Sequence, residues 1–292
     1  MSKRMLFILL STLMVLALVM AACSGDEETE SEDISGQTVN ILTAAGEDQI
    51  AAFEASLAPF EERTGVDVVV EGSGDFETLA VVRAEADDPP DIYNFPQPGL
   101  MADFARDDFL IDLGQFLEDD YMKEQYNQTW IDLGTVDGTL YGVWHNADVK
   151  SLVWYPKDDF EAAGYEIPET WDELVALTDQ IVADGHTPWC IAIESSGATG
   201  WVGTDWVEDI MLRTAGGEKY DEWVAGDLPF DSPEVREAFR VMEEIWLNPD
   251  YVLGGTTGIL TTAFGDGPLP LFDEPPSCFL HRQASFILNR SE

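Results

Sequence analysis

Residues 38–95 alternate short apolar runs with segments of helical periodicity. Residues 38–43, 66–70 and 91–95 are compact apolar runs typical of buried strands. The helix predicted between the first two runs carries its apolar side chains on one face: Ile50, Phe53, Leu57 and Phe60. A second helix is predicted at 76–86. The order βαβαβ predicts a mostly parallel sheet with right-handed crossovers.

Three loops follow the carboxyl ends of these predicted strands. Ligands of open parallel sheets bind at this edge, so residues 44–47, 71–75 and 96–99 should open on one cleft. The candidate ligand contacts in these loops are Gly46, Glu47, Gly74, Asp75 and Gln97. Glycine lets backbone amides approach a ligand, although ordinary turn formation explains each glycine equally well. The chain has no Gly-x-x-x-x-Gly-Lys-Ser/Thr loop, which disfavours nucleotide binding.

After residue 104, short helices and an aromatic-rich segment lead the chain into a second unit. Short acidic helices cover 104–130, and the aromatic-rich run 143–155 has the pattern of a strand. Pro156 then opens a helix that stops at Gly164. The remaining elements are predicted in the order helix, strand, helix and helix: 171–183, 189–193, 205–213 and 232–246. The whole pattern therefore predicts two α/β lobes.

A continuous set of motifs indicates which family the chain resembles. Residues 136–157, the helix that follows, and the run Pro-Glu-Thr-Trp-Asp-Glu-Leu at 168–174 are similar to the signature of sugar-type extracellular solute-binding proteins of ABC importers. The resemblance implies an α/β fold of the two-lobe, type II periplasmic-binding-protein kind, each lobe being a mostly parallel sheet flanked by helices. It places an incomplete first lobe at 38–145, the second lobe at 146–276 and a return strand at 277–292. Family members are usually much longer than 292 residues, so we expect a C-terminally truncated chain.

All nine tryptophans lie between residues 130 and 246. Sugar faces stack on aromatic rings while sugar hydroxyls need fixed polar partners, so tryptophans interleaved with Asp and Asn are typical of carbohydrate sites. Core packing is the alternative, and it is the expected role of Trp171, Trp223 and Trp246 at helical spacing. Trp201 and Trp206 lie instead in a glycine-rich segment, where we expect them to stack on a ligand.

Two segments, 195–209 and 254–266, resemble the α-glucoside-binding branch of the family. The resemblance implies the following ligand contacts in the second lobe: Trp201, Asp205, Trp206, Gly255 and Thr256. Trp144 and Asn146, where the chain crosses between the lobes, are further candidates. The implied protein is a monomer without metal or cofactor, which binds an α-glucoside or related oligosaccharide and delivers it to the permease of an ABC importer.

The first 22 residues have the pattern of a secretory signal. Lys3 and Arg4 precede an apolar run, and small residues lead to Cys23. This resembles a bacterial lipoprotein box, so we expect Cys23 to carry lipid and anchor the chain at the cell membrane; an uncleaved membrane helix is the alternative. Residues 23–37 are acidic with almost no apolar side chain, which predicts a tether.

The chain is strongly acidic, with 57 Asp and Glu against 14 Lys and Arg and a formal net charge of −43. This charge disfavours nucleic acid and anionic lipid headgroups as partners. Self-repulsion on this scale is tolerable where salt screens it, which favours a high-salt habitat. An acidic secreted protein from ordinary salt is the alternative.

Cys190 and Cys278 remain as a pair once Cys23 is assigned to lipid. In an exported chain such a pair predicts a disulfide, with two buried thiols as the alternative. Metal binding by two cysteines without accompanying histidine spacing is disfavoured.

A secreted glycoside hydrolase is the main alternative function, and a glycan-adhesion lipoprotein is another. Hydrolysis needs two carboxylates about 5–10 Å apart, and a chain with 57 acids contains such pairs by chance. Gly-x-Ser-x-Gly is absent, and no nucleophile motif accompanies the three histidines, which are His145, His186 and His281. The sequence therefore favours binding over catalysis.

Overall fold

A computed structural model describes residues 33–290 of the chain. The predicted signal segment 1–22, the lipid site Cys23 and most of the tether lie outside the described residues. Within 33–290, no helix is both long and apolar enough to span a membrane.

The first lobe is built on a three-stranded parallel sheet. Its elements in chain order are β1 (Thr38–Thr43), α1 (Glu47–Thr64), β2 (Asp67–Gly72), α2 (Phe76–Glu85) and β3 (Ile92–Asn94). The strand order is β2-β1-β3, with both pairings parallel, so the predicted βαβαβ unit is confirmed. The third strand is shorter than predicted, and at its start the Asn40 amide donates to the Asp91 carboxylate at 2.8 Å. A side chain thus takes the place of one ladder hydrogen bond.

The helices that follow carry the chain to a small hairpin. They are α3 (Pro98–Arg106), α4 (Asp119–Gln125) and α5 (Gln128–Leu133), and the hairpin consists of β4 (Thr135–Val136) and β5 (Thr139–Leu140). Leu42, Phe76 and Phe104 form the centre of the first core, with Tyr93 and Phe95 packed against them. The ring centroids of Phe95 and Phe104 are 5.2 Å apart in an edge-to-face arrangement, a preferred aromatic geometry.

The second lobe is mostly helical. It contains β6 (Leu152–Trp154), α6 (Lys157–Ala162), α7 (Trp171–Ala183), α8 (Trp201–Thr214), α9 (Gly217–Val224), α10 (Pro233–Trp246), α11 (Gly255–Thr261) and β7 (His281–Gln283). Several predicted boundaries hold, because their caps are encoded locally. Ser232 accepts a hydrogen bond from the Val235 amide at the start of α10, and Gly164 adopts a positive φ of 76° after α6.

Two predicted strands of the second lobe differ in the structure. The strand-like run 143–155 is regular only in β6, and of residues 189–193 only Trp189 forms bridges, which are isolated and parallel. Trp189 pairs with Val252 on one side and Leu280 on the other, so its neighbours come from irregular segments. Among the described residues of this lobe, parallel pairing is therefore limited to single bridges, and the regular pair β6 and β7 is antiparallel. Helix α8 also begins four residues before the predicted start, because Gly200 turns the chain at φ 107°.

The second core lies between α7, α8 and α10 and the buried segment 189–193. Trp189, Trp206 and Ile245 are almost completely buried at its centre. Beside it, Cys190 and Cys278 form a disulfide with their Cα atoms 5.8 Å apart. This link holds the segment after Trp189 to the segment that leads into β7.

The pair β6 and β7 joins the crossing segment to the end of the described chain. The strands are antiparallel, with Leu152 opposite Gln283 and Trp154 opposite His281. The predicted return strand is thus short, and the following 3-10 helix, Ser285–Arg290, lies near α1 of the first lobe. Burial lowers the pKa of His281 to about 4, so its ring is neutral at pH 7.

Candidate functional site

The predicted first-lobe contacts lie where strands end and helices begin. Gly46 and Glu47 start α1, Gly74 and Asp75 precede α2, and Gln97 precedes α3. Because β1, β2 and β3 are parallel, these loops share one edge of the sheet. The Gln97 side chain accepts from the Leu100 amide at 3.4 Å, so it caps α3. Glu47 and Gly74 are exposed at this edge.

Asp75 joins the first lobe to the second. It occupies the N-cap position of α2, yet its side chain makes no capping bond. Its Oδ1 atom instead accepts from the Gly197 amide at 3.0 Å. A Cβ atom at Gly197 would lie only 3.2 Å from that oxygen, so glycine permits the approach. Gly197 lies in the 3-10 turn Ser196–Ala198, and sequence reasoning missed its role because the partner is 122 residues away.

The crossing segment forms an open pocket with α4 and α5. The pocket has a volume of about 340 Å³ and is lined by Gln125, Tyr126, Asn127, Trp130, Trp144, His145, Asn146 and Ala147. Trp144 packs on Trp130 with ring centroids 5.2 Å apart, and the Trp144 indole nitrogen donates to the Trp130 carbonyl. The two predicted residues Trp144 and Asn146 therefore lie at one pocket beside two further amide side chains.

His145 ties this segment to the first lobe. Its ring centroid is 4.8 Å from that of Phe53 on α1, and its Nε2 atom is 3.2 Å from the Asn94 side-chain oxygen. Partial burial lowers the pKa of His145, which favours the neutral ring at pH 7. A neutral imidazole has one N–H donor and one acceptor nitrogen. The His145 ring can therefore donate to Asn94 and keep its other nitrogen as an acceptor.

Trp201 and Asp205 lie together at the start of α8, with Lys150 from the crossing segment between them. The Lys150 Nζ atom is 2.8 Å from Asp205 Oδ2 and 5.1 Å from the Trp201 ring centroid. Phe264 contacts Trp201 edge to face at 5.1 Å, and the Phe286 ring is 5.9 Å from Trp201. We call Lys150, Trp201, Asp205 and Phe286 the Lys150 cluster. It offers an aromatic surface beside a cation and a carboxylate.

Sequence reasoning found only half of the Lys150 cluster. Trp201 and Asp205 were predicted, whereas Lys150 and Phe286 were not. Lys150 is one of five lysines in a chain with 57 acids and lies within the family-like motif 136–157, and these two facts were the available signals. Phe286 carried no such signal.

Trp206 lies in the second core, which corrects the expectation that it would stack on a ligand. Its side chain is 1% exposed and meets Trp189 and Trp246 edge to face. The physical reason is helical phase. Val202, Trp206 and Ile210 repeat every four residues on the buried face of α8, whereas Trp201 lies five positions before Trp206 and is turned toward the cluster.

Gly255 and Thr256 form the first turn of α11. Gly254 and Gly255 both have positive φ, at 72° and 60°, so the chain turns sharply into this short helix. The Ile193 amide donates to the Ile259 carbonyl, which fixes α11 to the buried central segment. Thr256 is exposed, and Gly255 is partly exposed.

Comparison with known proteins identifies the family. The family model for bacterial extracellular solute-binding proteins matches residues 44–270. The chain is 49% identical over 283 residues to the osmoprotective compounds-binding protein GgtB of Synechocystis sp., covering 97% of this chain and 67% of GgtB. It is 44% identical over 272 residues to the alpha-glucosides-binding periplasmic protein AglE of Rhizobium meliloti, covering 90% of this chain and 58% of AglE.

Solved structures agree on the fold. The solute-binding protein RafE in complex with raffinose superposes with a TM-score of 0.67 at 23% identity, covering 87% of this chain and 65% of RafE. The two-lobe, type II α/β fold predicted from sequence is therefore confirmed. The chain spans between 58% and 67% of the length of these three proteins. It belongs to the family of bacterial extracellular solute-binding proteins.

Proposed function

We propose that the chain binds an α-glucoside or related oligosaccharide outside the cytoplasm and delivers it to the permease of an ABC importer. The carrying observation is the Lys150 cluster, in which the Trp201 ring lies beside a lysine and aspartate pair. A sugar stacks an apolar face on such a ring while its hydroxyls bond the flanking charges. The similarity to AglE supports the α-glucoside class.

The second wall of the site would come from the first lobe and the crossing segment. Candidate contacts there are Gly46, Glu47, Gly74, Asp75, Gln97, Trp144 and Asn146, with Gly255 and Thr256 at the start of α11 in the second lobe. Lobes at 38–145 and 146–276 would close around the ligand by a hinge at the crossing segment. The Asp75 to Gly197 hydrogen bond supports this arrangement, because it already links the two walls.

The same proposal includes export of the protein and its anchoring at the membrane. The signal pattern at 1–22 supports export, and Cys23 is the expected site of a lipid anchor. The acidic stretch 23–37 would act as a tether between membrane and lobes. The net charge of −43 supports a high-salt habitat, and the protein is proposed to act as a monomer.

Calorimetry on the full-length mature protein tests the proposal. We expect maltose, trehalose or sucrose to bind with a Kd of about 1 µM, which corresponds to about −8 kcal/mol. The same sugars incubated with the protein should remain intact, because the proposal is capture without turnover. Release of monosaccharide in proportion to protein would favour a glycoside hydrolase instead. Binding to insoluble polysaccharide without binding to these sugars would favour adhesion.

Replacing Trp201 with alanine should weaken sugar binding by about 2 kcal/mol, or roughly 30-fold, because a stacking anchor is lost. The melting temperature of the Trp201→Ala protein should change little, since Trp201 lies at the edge of the core. Calorimetry and a thermal melt on the same preparation measure both quantities. Trp223→Ala is the matched control: Trp223 is also half-buried, but packs on Phe230 and Tyr220. Equal affinity losses in both variants would contradict a stacking role for Trp201.

A further inference from the structure

We propose that the Lys150 ammonium group occupies a cage of aromatic rings and a carboxylate in the ligand site. By occupying this cage, Lys150 makes the site reject organic cations in favour of uncharged solutes. The inference rests on the proposed function, because it names a property of the same ligand site. The cage consists of the rings of Trp201 and Phe286 and the carboxylate of Asp205.

Two rings converge on the Lys150 ammonium group. Its Nζ atom is 5.1 Å from the Trp201 centroid and 5.9 Å from the Phe286 centroid, both within cation–π range. The rings are tilted by 44° to each other with centroids 5.9 Å apart, so they form two walls of a notch. Asp205 closes a third side at 2.8 Å from Nζ. The remaining side is open, because half of the Lys150 side chain is exposed.

Aromatic walls with a carboxylate are the chemistry that recognises quaternary ammonium groups such as choline. Without Lys150, the notch would present the Asp205 carboxylate beside two aromatic rings. With Lys150 in place, an incoming cation meets an occupied site and a like charge a few ångströms away. An uncharged solute is not repelled by this charge, and its hydroxyls can accept from the ammonium group and donate to Asp205.

The overall charge of the chain explains why rejection of cations at the ligand site would matter. A net charge of −43 raises the local concentration of cations around the whole protein. Selection against cationic solutes therefore has to be local to the site. The neighbouring carboxylate on α8, Asp209, is likewise paired, with Arg282 at 2.8 Å. Asp205 and Asp209, which lie on the same side of α8, are thus each paired with a basic side chain of the protein itself.

Choline chloride is the probe for the test, titrated at constant ionic strength with sodium chloride as the reference salt. We expect Lys150→Ala to bind choline about tenfold more tightly than the parent chain or better, because two rings and a carboxylate become available. Lys150→Arg keeps a cation in the notch and should show no gain. The double variant Lys150→Ala with Trp201→Ala should lose the gain, which separates the cage from a general effect of charge.

The result that overturns the proposal is a folded Lys150→Ala that binds choline no better than the parent chain. Lys150→Ser is measured in parallel, and a cooperative melt of either variant is sufficient for the comparison. Equal choline gains in Lys150→Ala and in the double variant would also overturn it. Failure of the parent chain to bind any α-glucoside would count against the proposed function alone, because the choline comparison does not use a sugar.

Discussion

Replacing Trp206 with alanine should lower the free energy of unfolding by about 4 kcal/mol, in the range typical for a buried tryptophan. The indole fills the space between Trp189 and Trp246, whose ring centroids are 5.5 and 5.8 Å from its own. Truncation leaves a large cavity at the centre of the second core, and it removes the ring beneath the Arg282 guanidinium, 4.6 Å away. Denaturant unfolding monitored by circular dichroism measures the loss.

Trp201→Ala is the matched control for this prediction, since both tryptophans lie on α8. We expect the two variants to separate two properties: Trp206→Ala should lose stability, and its folded fraction should keep much of its sugar affinity. Trp201→Ala should show the reverse. A Trp206→Ala protein with parental stability and greatly weakened sugar binding would mean that the ring faces the ligand after all.

Replacing Arg282 with alanine should cost about 3 kcal/mol of stability, because it removes one partner of a mostly buried ion pair. The Arg282 side chain is only 8% exposed, and its Nη2 atom contacts Asp209 at 2.8 Å and Ser151 Oγ at 2.7 Å. Burial lowers the pKa of the guanidinium, and the charge of Asp209 opposes that shift. These bonds connect β7 with α8 and with the residue that precedes β6.

Arg213 supplies a control that uses the same carboxylate. It contacts Asp209 at 3.0 Å, but its side chain is 72% exposed. Exposed ion pairs contribute little, so Arg213→Ala should change the free energy of unfolding by less than about 1 kcal/mol. Chemical denaturation of both variants at low and high salt gives the comparison. Equal losses would show that burial does not set the strength of these pairs.

The βαβαβ unit of the first lobe could be predicted because its signals are local. Apolar runs bounded by glycine specify β1 and β2, and Gly65 ends α1 with a positive φ of 72°. The cap of α10 at Ser232 and the turn at Gly164 are also readable from single residues. Each of these features depends on contacts within a few positions of the chain.

The second lobe was less predictable because its centre is held by distant partners. Residues 189–193 have the composition of a strand, yet Trp189 pairs with Val252 and Leu280 through single bridges. Nothing within the segment itself reveals that its neighbours are irregular. The tryptophans show the same limit, since the glycine-rich segment marked both Trp201 and Trp206 as candidates and only the helical phase of α8 separated them.

The sequence by itself determined the family, the α/β class, the parallel sheet of the first lobe and the aromatic-rich character of the second. It did so because motifs, periodicity and capping residues act over short stretches of chain. The tertiary structure alone decided which side chains meet. Lys150 pairs with Asp205 across 55 residues, and Asp75 reaches Gly197 across 122. Such contacts depend on how whole elements pack, and no local pattern encodes that packing.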